Sequence, residues 1–100
     1  MGTGDLVVVH ASEPREQLWG TLIRLDSAGV EVRGVDLANF EQWCQQLAGE
    51  GEPQLGPATV FLPAHRIERV TLDEQVGAVQ SFRDRFHEIV GVEAQEHLSP

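Results

Sequence analysis

The sequence predicts a mainly β fold: a five-stranded, strongly bent antiparallel barrel with a short inserted helix and a C-terminal helix. Three observations lead there. Five short apolar runs rich in Val, Ile, Leu and Phe are separated by Gly, Pro, Asp and Ser clusters. A glycine, Gly20, falls inside the second run, where a bend or bulge needs one. Helical periodicity occurs in only two places, about residues 39–48 and 73–90, each with capping residues at its ends. One hundred residues suffice for a single domain. Its barrel occupies about residues 6–72, its helix 73–90 and an acidic, frayed tail 91–100.

The first strand is Leu6-Val7-Val8-Val9-His10, continuous enough in apolar character to be buried on both sides. The second spans Gln17 to Leu25 and the third Val30 to Leu37, joined by the turn Asp26-Ser27-Ala28-Gly29. A tight hairpin there sets Leu25 against Val30, Arg24 against Glu31 and Ile23 against Val32. An opposite-charge pair across two strands is worth a few tenths to about 1 kcal/mol, so Arg24 has a structural reading before a functional one. Phe40, Trp43, Cys44 and Leu47 then recur at helical spacing, with Asn39 as N-cap, Gln42 completing a capping box and Gly49 as the stop. Gly49 to Pro57 is a loop. Thr59 to Leu62 forms the fourth strand, ended by Pro63, and Arg66 to Val70 the fifth. Thr71 and Glu74 spell a second capping box, predicting a helix to about Val90 capped by Gly91. Its apolar stripe includes Leu72, Val76, Val79, Phe86 and Ile89.

Charge narrows the classes of partner. Sixteen carboxylates oppose seven arginines and no lysine, a formal net charge of −9. Nucleic-acid binding draws on counterion release by a positive surface, so RNA is disfavoured as a partner. No apolar run approaches the roughly 20 residues of a membrane helix, and no basic-then-apolar leader opens the chain. A lone cysteine, Cys44, has no internal disulfide partner. The expected setting is the cytoplasm.

Gly20-Thr21-Leu22-Ile23-Arg24-Leu25-Asp26 resembles the first signature of the Sm and Sm-like proteins: glycine, any residue, leucine, three more residues, aspartate. Val60-Phe61-Leu62 followed by Ile67 resembles the second signature, in the family's strand order. The resemblance spans about residues 6–72 and implies a small barrel that pairs its fourth strand with a neighbour's fifth and closes into rings. Exposed strand edges supply the physical motive. The family's RNA-contact residues are not matched. Ser27-Ala28-Gly29-Val30 stands where an asparagine belongs, and Pro63-Ala64-His65 where arginine and glycine belong. The helix-bearing insert between strands three and four, Asn39 to Pro57, is long for the family, and the terminal helix lies at the opposite end of the chain from the family's.

His10, His65, His87 and His97 fall on separate elements with no metal-ligand spacing. Trp19, Trp43 and Cys44 read as core side chains, and Asp73, Glu74, Asp84 and Glu88 as a solvated helix face. With no phosphate loop, catalytic triad or paired carboxylate, no enzyme, cofactor or metal is expected. Two functions remain. The first is a self-assembling scaffold or protein-interaction module, with itself and an unknown protein as partners and Val60, Phe61, Leu62, Ile67, Val70, Val79 and Phe86 as its interface. The second is RNA binding through a non-standard surface of His65, Arg66 and Arg69.

Overall fold

The computed structural model describes residues 1–99. Strands β1 (Leu6–Ala11), β2 (Glu16–Asp26), β3 (Gly29–Asp36), β4 (Ala58–Pro63) and β5 (Ile67–Leu72) build one sheet. Every pairing is antiparallel and the order is β4-β3-β2-β1-β5. No ladder joins β4 to β5, so the sheet is open, with two free edges. Helices α1 (Phe40–Ala48), α2 (Phe82–Val90) and α3 (Gln95–Leu98) complete the fold.

Both faces of the sheet are apolar. On one, Leu6, Val8, Trp19 and Val35 pack with Phe40, Trp43 and Cys44 of α1, Phe86 of α2, and Ala94 and Leu98. On the other, Val7, Val9, Ala11, Leu18, Leu22, Val30, Val32 and Leu62 form a second cluster drawn from the strands alone. Val7, Val9 and Val30 are fully buried although no helix covers them. The sheet itself must curl over that concave face. Gly20 and Gly34 sit directly opposite each other on β2 and β3. A Cβ on either would overlap the other strand's backbone carbonyl and stand 2.6–2.7 Å from the facing Cα. Glycine is therefore required at both Gly20 and Gly34 by the close approach of the two strands, and the bulge expected at Gly20 falls at Ile23 instead.

The hairpin pairs Leu25 with Val30 and Arg24 with Glu31, but Leu22, not Ile23, faces Val32. Ile23 is the extra residue of a bulge, which tightens the local twist and bends the strand. Arg24 makes its ion pair with Asp26 at 3.5 Å rather than with Glu31, and lies 5.9 Å above the Phe61 ring.

Three helix boundaries depart from expectation. Asp36, not Asn39, caps the approach to α1: its carboxylate accepts from the Ala38 N–H and starts one 3-10 turn over Leu37–Asn39. Asn39 makes no side-chain cap. The helix predicted from residue 73 begins only at Phe82, because Val70, Thr71 and Leu72 are taken by β5 to pair Val9, Val8 and Val7. Residues 73–80 form a loop closed by a Val76–Val79 bridge around Gly77, whose φ of +60° suits glycine. Ser81 then caps α2, accepting from the Asp84 N–H, and Gly91 ends it at φ +85°. Nor do residues 92–99 fray: Ala94 and Leu98 are fully buried. Pro100 lies outside the described residues.

Candidate functional site: a polar row beside an apolar shelf

The helices cover only part of their face of the sheet. Val8 and Trp19 lie beneath them; two residues further along, β1 presents His10, paired with Gln17 on β2 and with Arg69 on β5. Paired residues share a face, so Gln17, His10 and Arg69 form a row across three adjacent strands. Gln17 Nε2 lies 3.1 Å from His10 Nδ1. Donation from the amide to Nδ1 leaves the neutral ring its proton on Nε2. Partial burial, then the Arg69 guanidinium, lowers the His10 pKa from 6.5, and Glu68 opposes the shift.

This row floors two adjoining concavities. One, about 480 Å³, extends toward the β1–β2 turn and is lined by Arg15, Glu16 and Glu68 as well. The other, about 740 Å³, runs between Leu37 and the 73–80 loop, with Val76, Val79 and Phe82 along its wall. Val76 and Val79 are 66% and 71% exposed. They are the most exposed large apolar side chains among the described residues, a consequence of the loop that replaces the expected helical turns.

The three residues read as a possible RNA surface are separated by their roles. Arg66 donates from Nε to the Ser12 carbonyl at 3.1 Å and from Nη2 to the Pro14 carbonyl at 2.8 Å. It also pairs with Glu16 at 3.0 Å. Its guanidinium is committed to holding the β1–β2 connection. His65 is exposed on the 3-10 turn Ala64–Arg66. Only Arg69 joins the row.

The expected interface residues also divide. Val60, Ile67 and Val70 line the rim of the concave cluster, and Leu62 is buried in it. Phe61 is 45% exposed on β4. Val79 stands in the loop, not on a helix. Phe86 is fully buried against Trp19 and Trp43, so the stripe left open to a neighbour closes on its own sheet.

Asp73, read as solvated, is a structural hub. Its carboxylate accepts from the Phe82 and Arg83 N–H groups, both at 2.8 Å, and from Trp19 Nε1 at 2.9 Å. One side chain thereby caps α2 and satisfies the buried indole. Cys44 is fully buried, and burial, helped by the Glu41 carboxylate, raises its thiol pKa from 9.0 to about 11. It has the character of a packing residue, not a nucleophile.

Among the described residues no group of three His, Cys, Asp or Glu side chains is placed to hold a metal ion, and no helix is long and apolar enough to cross a membrane. Comparisons with family models, curated proteins and solved structures return no match.

Proposed function

We propose that this chain is a self-assembling Sm-like small barrel, a non-enzymatic scaffold or protein-interaction module working in the cytoplasm. One observation carries the reading: a curved sheet ordered β4-β3-β2-β1-β5 that leaves β4 and β5 as unpaired edges. Free edges present rows of N–H and C=O groups that favour pairing with another strand. Exposed apolar side chains mark both edges: Phe61 on β4 and Leu72 on β5. Joining β4 of one copy to β5 of the next is a head-to-tail contact, which closes into a ring when the rotation allows. Val60, Leu62, Ile67 and Val70 then lie at the joint; Val79 and Phe86 do not.

The alternative, RNA binding around His65, Arg66 and Arg69, loses support because Arg66 is already bonded to Ser12, Pro14 and Glu16. Light scattering at tens of micromolar tests the proposal: the wild type should exceed the monomer mass, and Phe61→Glu should return it to monomer. A monomeric wild type overturns it. Titration with oligo-U at physiological salt tests the alternative; micromolar binding lost in Arg66→Ala/Arg69→Ala would establish it instead.

A further inference from the structure

The groove over the Gln17–His10–Arg69 row carries an inference independent of the oligomeric state. Its first support is charge. Arg24, Arg66, Arg83 and Arg85 each pair with a carboxylate, and Arg33 Nη1 reaches Thr59. Arg15 and Arg69, like Arg33, pair with no carboxylate among the described residues, although the chain holds sixteen. Both line this groove.

One carboxylate of its lining is ion-paired. Glu16 is held by Arg66, whereas Asp73 accepts only from neutral N–H groups and keeps its negative charge. Glu68 and Glu74 remain at the rim. The net charge of −9 repels anions at long range, but that field fades over roughly 8–10 Å at physiological salt. At the end toward the β1–β2 turn the two guanidiniums and the His10 N–H face Glu68 as the one carboxylate without an ion pair; Asp73 and Glu74 lie at the other end.

The second support is apolar. Among the described residues six large hydrophobic side chains are exposed, and four of them (Met1, Leu72, Val76 and Val79) line the adjoining concavity, which shares His10, Gln17 and Arg69 with the first. Cationic groups at one end and an aliphatic shelf at the other describe an elongated, two-natured ligand. RNA offers anions but no aliphatic side chain for the shelf.

We propose that this groove docks an extended acidic peptide, its carboxylates on Arg15 and Arg69 and an aliphatic side chain on Val76 and Val79. The probe is a fluorescein-labelled hexapeptide of alternating glutamate and leucine, titrated by anisotropy against the full chain. The alternating lysine–leucine peptide and oligo-U serve as controls. Exposed ion pairs are individually weak, so Arg15→Gln/Arg69→Gln should weaken binding about tenfold. Val76→Asp/Val79→Asp should weaken it by at least as much, and the His10 ring resonances should move on titration of the wild type.

Several outcomes overturn the proposal: no binding at millimolar peptide, equal binding by the arginine variant, or equal binding of the lysine peptide. Tighter oligo-U binding that depends on the same arginines makes the groove a nucleic-acid site instead. Light scattering on the same samples separates a further case. If Val76→Asp/Val79→Asp lowers the molar mass and leaves peptide binding unchanged, the shelf belongs to a second copy and the peptide assignment fails.

Discussion

Asp73 shows how much one surface-looking carboxylate can hold. It joins the first turn of α2 to the indole of Trp19, 54 residues away in sequence. Asp73→Ala removes the cap and strands a buried indole N–H. The expected loss is about 2–3 kcal/mol, read as a lower urea midpoint with unchanged slope. His10 supplies a second test. Its folded pKa lies below 6.5, so the native state binds fewer protons than the unfolded chain, and stability falls as pH drops below 6.5 through that lowered value. Burial is the larger cause and Arg69 the next. In Arg69→Gln the His10 pKa, followed by its NMR ring shifts, should therefore rise but stay short of 6.5; an unchanged or lowered value contradicts the row geometry.

Elements are positioned here by close backbone contact and by buried ends. Gly34 faces Gly20 so tightly that a Cβ would meet the Trp19 carbonyl and the Gly20 Cα. Backbone cannot move aside as a flexible side-chain tip can. Gly34→Ala should cost about 2–3 kcal/mol in chemical denaturation, at the upper end of overpacking effects. By contrast Gly2→Ala, where no atom lies within 4 Å of the added Cβ, should be nearly neutral. The short α3 has an opposite vulnerability. Leu98 is fully buried beside Trp43 and Phe86, so Leu98→Ala should cost about 2–4 kcal/mol. A frayed tail would give no change in the same melt.

For the whole molecule, two apolar clusters lie on opposite faces of a curved sheet whose outer strands, β4 and β5, each have one unpaired edge. The proposed assembly through those edges would bring together subunits each carrying a formal −9. Their mutual repulsion opposes the backbone and apolar attraction that joins them. Raising salt from about 0.1 M to about 1 M shortens the screening length from roughly 10 Å to roughly 3 Å. The oligomer fraction measured by light scattering should therefore rise with salt. Peptide docking in the groove, which depends on Arg15 and Arg69, should weaken over the same range. Opposite salt responses separate an edge held by hydrogen bonds and apolar contact from a groove held by charge.

Local chemistry made the strands legible in advance. Leu6 to Val9 and Thr59 to Leu62 are β-branched or apolar runs bounded by turn residues, and Asp26 to Gly29 names its own hairpin. Phe40, Trp43 and Cys44 declare a buried helix face by spacing alone. Each signal lies within about a dozen residues, which is as far as periodicity and capping extend. The Thr71–Glu74 capping box was equally local and misled, because pairing of Val70, Thr71 and Leu72 with Val9, Val8 and Val7 claimed Thr71 for β5. What tertiary structure alone decided has the same cause. The Gln17–His10–Arg69 row exists because β1 lies between β2 and β5; Asp73 caps α2 because β5 delivers it beneath Trp19; and α3 is a helix because Ala94 and Leu98 find a core to fill. Contacts between distant segments carry no periodic trace in the chain. They appear only when backbone pairing has set which strands are neighbours.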